Sequence, residues 1–224
     1  MSIIRYVLVR FLDMEFQPSD IPKLRGYFAR KYPVSHLFHN HLPDGQFSYS
    51  YPQIQYRIIA NSPALLGFKE GLELIKEVFF DLDHVTIKGI DYPSYEKEIR
   101  VYEEPFGICS EMHSYSFSSP WMALNEENHS KYIHLNRIEQ NKLLRTILKN
   151  NLKTLAKGFD IWLDDFEQVD MDGWFKPVTV NFKDIKMLCF WGEFTTNFII
   201  PEYLGLGKQS ARGFGVIVRQ QEVT

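Results

Sequence analysis

Gly205-Leu206-Gly207-Lys208-Gln209-Ser210-Ala211-Arg212-Gly213-Phe214-Gly215 sets two Gly-x-Gly units around five residues, two of them cationic. Glycine suits positions where the backbone needs positive φ or a close neighbour. Clustered glycines can also free N–H groups to cradle an anion, with Lys208 and Arg212 supplying charge. The stretch is not a Walker loop, because no Gly-Lys-Ser/Thr closes it. It is not a dinucleotide fingerprint either, since Val216-Ile217-Val218 reads as a strand rather than a helix. Two readings stay open on spacing alone: a phosphate-binding loop, and a glycine-softened turn before the last strand.

Outward from that loop, the chain has 224 residues, enough for one large domain or two small ones. It is 45% hydrophobic and 15% aromatic, a globular rather than a disordered composition. The formal charge of −3 means that any nucleic-acid site must come from local asymmetry. Cys109 and Cys189 are the only cysteines, too few for a disulfide framework or a cysteine-built zinc site. No apolar run reaches the length of a membrane span, and Arg5 and Arg10 interrupt the N-terminal apolar segment, which argues against a secretory signal. The expectation is a soluble, cytoplasmic protein without a membrane partner.

In the first half, Ile3 to Leu12 alternates as a strand. Ser19 and Pro22 open a helix from about Ile21 to Ala29, and Pro33 ends it. Phe47 to Tyr51 and Gln53 to Ala60 are strand-like, followed by a helix over Phe68 to Phe79 and a strand over His84 to Tyr92. Strand, helix, strand, strand, helix, strand is the ferredoxin-like βαββαβ order. Between the first helix and the strands lies His36-Leu37-Phe38-His39-Asn40-His41. In an extended segment His39 and His41 point to the same side. Such a pair could supply a general acid and a general base near neutral pH. His-x-His is also a metal-ligand pattern, but no Asp/Glu/His set at a diagnostic spacing completes it. Loop histidines without a task are the third reading.

In the second half, Lys97 to Glu104, Tyr115 to Leu124, Lys131 to Leu135, Trp174 to Phe182, Ile185 to Phe198 and Phe214 to Arg219 read as strands. Gly192 suggests a hairpin within the fifth of these. Arg137 to Lys157 is helical, with Leu144, Leu148, Leu152 and Leu155 on an apolar stripe and Arg145, Lys149 and Lys153 together on another side. That basic side is a candidate RNA contact or simply a solvated face. The acidic stretch from Asp160 to Asp172 offsets it and lacks the EF-hand glycine and terminal glutamate. The second half is a degraded copy of the first, with the boundary expected near Tyr92, giving domains 1–92 and 93–224.

The glycine stretch resembles the glycine-rich loop of the RAMP superfamily of CRISPR-associated RNA-binding proteins: Gly-hydrophobic-Gly, five residues with Lys/Arg, then Gly-hydrophobic-Gly. Leu24-Arg25-Gly26, Leu37-Phe38-His39-Asn40-His41 and Tyr51-Pro52-Gln53-Ile54-Gln55-Tyr56 resemble the repeat-RNA endoribonucleases of that superfamily, the Cas-six family, and most closely its b-type branch. The resemblance spans essentially the whole chain. It implies an α+β fold of two tandem ferredoxin-like domains. It also implies cleavage of CRISPR repeat RNA to mature guide RNA without metal or cofactor, leaving a 2′,3′-cyclic phosphate and a 5′-hydroxyl. Within it His39 and His41 fall on the catalytic pair, Lys31 on the contributing lysine and Tyr49 on the tyrosine. Arg30 neighbours the lysine, Tyr51 lies one strand repeat from Tyr49, and His36 has no counterpart. Gly205, Gly207, Lys208, Arg212, Gly213 and Gly215 are the expected RNA grip, with Arg30, Arg145, Lys149 and Lys153 as further contacts. Partners implied are precursor and guide RNA, other Cas proteins of an effector complex, and a second copy of the chain. A non-catalytic RAMP subunit that only holds guide RNA is the competing expectation.

Overall fold

A computed structural model describes residues 1–33, 35–38 and 51–220. Two compact units divide between Glu104 and Pro105, not at Tyr92. The N-terminal unit holds Ile4–Glu104 together with Ala211–Gly213, and the C-terminal unit holds the remainder.

In the N-terminal unit, β1 (Ser2–Phe11) leads through a short 3-10 turn to α1 (Ile21–Lys31), with Pro22 in its first turn. Proline is tolerated there because a first-turn N–H has no helical partner to lose. Leu24 and Phe28 on its inner face are fully buried, each contributing about 1.5–3 kcal/mol over an exposed side chain. Strands β2 (Ile54–Ile59) and β3 (Ser62–Phe68) form a tight hairpin. Its two turn residues, Ala60 and Asn61, have φ of 49° and 63°, the left-handed pair that matches strand twist. Then come α2 (Glu70–Asp81) and a hairpin of two four-residue strands, β4 (His84–Ile87) and β5 (Ile90–Pro93), which among the described residues pair only with each other. The expected strand over 84–92 is therefore two strands. Lys88 and Gly89, at φ of 54° and 76°, turn the chain back on itself.

The fourth strand of this unit is the first part of β6 (Lys97–Phe117), which lies beside β1. Leu12 N donates to Glu96 O, Arg10 pairs with Glu98 at 3.4 Å, and Tyr6 stacks on Tyr102 with centroids 4.7 Å apart. The spatial order β2-β3-β1-β6 is the ferredoxin-like order, and it explains why the unit extends beyond Tyr92.

The C-terminal unit repeats the order. Following β6 are α3 (Glu126–Tyr132), α4 (Arg137–Gly158), β7 (Met171–Phe182), β8 (Ile185–Ile199) and β9 (Ile217–Arg219). The strands run β9-β6-β8-β7. Asn136 caps α4 and makes a reciprocal box with Glu139. Leu144, Leu148, Leu152 and Leu155 are fully buried. Lys131 to Leu135 is not a strand: Asn125 accepts from Asn128 N and starts α3 instead. Nor is β8 broken at Gly192, which pairs with Phe175; a Cβ there would meet Phe175 at 2.6 Å. Where the first unit has α2 between its third and fourth strands, the chain between β8 and β9 runs through the glycine-rich stretch, with a single 3-10 turn over Ser210–Arg212. No helix among the described residues is long and apolar enough to cross a membrane.

Candidate functional site

His39, His41 and Tyr49 lie outside the described residues; the groups leading into and out of that segment do not. Arg30 and Lys31 are exposed in the last turn of α1, and Lys31 Nζ stands 5.9 Å from the centre of the Tyr27 ring. Beyond Pro33, Leu37 and Phe38 are buried. The Phe38 ring stacks on Tyr32 and Phe28 at 5.1 and 5.7 Å, and Tyr56 Oη donates to its carbonyl at 3.3 Å. Burial pushes the Tyr32 phenol up to about 12. The chain just before His39 is thus fixed in an aromatic core. On the far side Tyr51 is buried against Phe68, with centroids 5.7 Å apart. Arg57 is fully buried, donating to the Tyr56 carbonyl at 2.8 Å and to Gln55. Burial lowers its guanidinium to about 10.

Both ends of the glycine stretch are bonded within the C-terminal unit. Gly205 bridges to Val216; Leu206 N donates to Gly215 O, Lys208 N to Met122 O, and Gly215 N to Pro120 O, at 2.8 to 3.0 Å. Those three N–H groups are satisfied by protein carbonyls, so they are not the anion cradle that the spacing suggested. Gly207, Gly213 and Gly215 take positive φ of 81°, 80° and 62°. At Gly207 a Cβ would also stand 2.6 Å from Trp121 Nε1, which donates to Asn151. The Lys208 side chain is exposed.

Arg212 and Gly213 belong to the N-terminal unit, where a Cβ on Gly213 would meet Ile21 Cδ1 at 2.5 Å. Burial, and then the neighbouring Arg25 guanidinium, lowers the Arg212 pKa; burial also lowers that of Arg25. Two cations set near one another favour an anion beside them. Arg25 was not among the expected contacts. Its place in Leu24-Arg25-Gly26 marked the motif, and only the fold brings it near Arg212.

The basic side of α4 is engaged within the C-terminal unit. Arg145 Nε donates to Gly173 O at 3.0 Å, pairs with Asp172 at 3.0 Å and lies 5.7 Å from the centre of Trp174. Lys149 donates to Glu167 O, and Lys149 and Lys153 cover the Phe166 ring. These contacts account for the pattern as docking of the acidic segment on the helix. No three His, Cys, Asp or Glu side chains among the described residues gather where they could hold a metal ion, a set that omits His39 and His41.

The family model described as the Cas6b N-terminal domain matches residues 2–105, and the Cas6b C-terminal domain model matches residues 107–220. These bounds fall at the division between the two units. A crystal structure of Cas6b superposes with a TM-score of 0.92 at 33% identity, covering 98% of this chain and all of that one. A second, of the CRISPR RNA processing endoribonuclease Cas6b, gives 0.79 at 30% identity with the same coverage. An uncharacterized protein of Methanocaldococcus jannaschii is 34% identical over 146 residues, 65% of this chain and 99% of its own length. With both halves matched end to end and the doubled ferredoxin-like order in place, the chain belongs to the Cas6b family.

Proposed function

We propose that the chain is an endoribonuclease that cuts CRISPR repeat RNA in the precursor transcript to give guide RNAs. The observation that carries this is the match of both Cas6b domain models over residues 2–105 and 107–220. The Cas6b structure at 30% identity, named for CRISPR RNA processing, supports the substrate.

In the chemistry proposed, the ribose 2′-oxygen loses its proton to one histidine of the His39–His41 pair and attacks the adjacent phosphorus. The P–O5′ bond breaks, and the other histidine protonates the departing 5′-oxygen. The products are a 2′,3′-cyclic phosphate and a 5′-hydroxyl, and no metal takes part. Charge on the pentacoordinate phosphorus is met by the Lys31 ammonium and the Tyr49 hydroxyl. Lys31 is exposed in the last turn of α1, just ahead of the segment anchored by Phe38, and this supports its role. Lys208 and Arg212 grip the RNA backbone electrostatically, with Arg25 beside Arg212.

Single-turnover cleavage of the cognate repeat in excess chelator tests this reading. One cut at one phosphodiester, slowed about 10²–10⁴-fold by His39→Ala or His41→Ala with RNA affinity retained, is expected. His36→Ala serves as the control and leaves the rate within a few-fold. A requirement for divalent metal sinks the metal-free step. Wild-type rates in both histidine variants move the site elsewhere. RNA binding without any cleavage by the unaltered chain assigns it as a guide-holding subunit.

A further inference from the structure

The chain has four tryptophans, and only Trp121 is fully buried; Trp162, Trp174 and Trp191 are 82%, 61% and 38% exposed. Exposed indoles give up the large burial free energy that tryptophan offers, so their grouping marks a contact surface. Two of them fall together. In the β7–β8 ladder Trp174 is opposite Glu193, and Lys176 is opposite Trp191. Facing residues share a side of the sheet, as do residues two apart on one strand, so all four side chains stand on one face. Their neighbours Phe175 and Phe194 are buried on the other.

The indoles occupy diagonal positions, roughly 7–8 Å apart along the sheet, within reach of one planar ring. On that face Trp174 and Glu193 line an open cleft of about 260 Å³ with Ser114, Asp172 and Thr195, and Lys176 and Trp191 stand beside it. Arg145 stands 5.7 Å from the Trp174 ring centre and is held there by Asp172.

We infer that this cleft binds an unpaired nucleotide of single-stranded RNA, through residues other than those of the glycine-rich stretch and the histidine pair. The inference rests on the RNA-binding reading above. Indole faces accept any base by stacking, and Lys176 meets a flanking phosphate. Glu193 repels phosphate but can accept from an exocyclic base amine, which orients the base inward and the backbone outward. The cations and Glu193 break the indoles into separate platforms rather than one apolar patch, which favours a nucleotide over an apolar protein partner.

The test uses the whole chain and two fluorescent probes, a 12-nucleotide oligoadenylate and a blunt RNA duplex of equal length. Trp174→Ala and Trp191→Ala should each raise the single-strand Kd about five- to a hundredfold, the usual worth of one stacked base. Both should leave duplex affinity and the salt slope unchanged, because stacking releases no counterions. Trp174→Phe and Trp191→Phe should restore affinity to within a few-fold. A double Ala variant that binds oligoadenylate as tightly as the unaltered chain overturns this inference alone. Altered sedimentation of that variant with intact RNA affinity assigns the cleft to a protein contact and overturns it likewise. Failure of the unaltered chain to bind either RNA overturns both this inference and the reading on which it rests.

Discussion

Gly207→Ala separates what the glycine-rich stretch does for the fold from what it does for RNA. Gly207 holds φ of 81°, and an added methyl would stand 2.6 Å from Trp121 Nε1 and 2.9 Å from the Met122 carbonyl. The left-handed backbone costs an alanine about 1–2 kcal/mol. Displacing a fully buried tryptophan that bonds to Asn151 adds about 1–3 kcal/mol of overpacking. The sum, about 2–5 kcal/mol, is a large part of a stability of about 5–15 kcal/mol. At about 2–4 °C per kcal/mol for a chain of this size, Tm should fall by about 4–20 °C. Lys208→Ala next door should leave stability within about 0.5 kcal/mol, since the side chain is exposed. It should instead weaken RNA binding and reduce the salt slope by nearly one. Thermal unfolding followed by circular dichroism, beside an RNA titration across a salt series, measures both. A Gly207→Ala chain that melts with the unaltered one would refute the packing argument. A Lys208→Ala chain with an unchanged salt slope would refute the electrostatic one.

Arg25→Ala combined with Arg212→Ala should weaken RNA binding by less than the two singles multiplied, because the guanidiniums act on a shared anion; equilibrium titrations of all three variants check this. Cys189 is fully buried and its thiol is pushed up to about 11 by burial, so brief iodoacetamide treatment of the native chain at pH 8 should label Cys109 and spare Cys189, as peptide mass spectrometry would show. The hydrogen bond from Lys23, at 2.5 Å, lowers the Asp20 carboxyl below its usual 3.8. Its stabilising contribution is complete above pH 3.8 and is lost as pH falls through the lowered value. Asp20→Asn should therefore narrow the difference in urea midpoint between pH 6 and pH 3.

The apolar periodicity of α4 and the alternation in β7 were legible because each places one face on a core. Strand β3 was not, since Ser62 to Phe68 is buried at every position and shows no alternation. The 84–93 segment hid its turn because a lone Lys88-Gly89 pair is the only break between two short strands, and the left-handed φ values reveal it. At the candidate site, local sequence singled out Lys208 and Arg212, and Arg25 appeared only within a motif. The basic row of α4 looked like an RNA face because a helical wheel cannot show that Asp172, Trp174, Phe166 and the Glu167 carbonyl come to meet it. Trp174 and Trp191, distant in sequence, become diagonal neighbours only through the β7–β8 register.

Arg145 and Asn141 have an effect on how the molecule tolerates its own kind. Among the described residues β7 pairs with β8 on one side only, and an unpaired strand margin invites another chain to add itself. Along that margin Gly173 O accepts from Arg145, Phe175 N donates to Asn141 Oδ1 at 3.3 Å, and Pro177 has no N–H to offer. Three successive outward positions are thus withdrawn from strand addition, two by helix side chains and one by a ring. The helix that builds the core of the C-terminal unit also guards its border against runaway polymerisation.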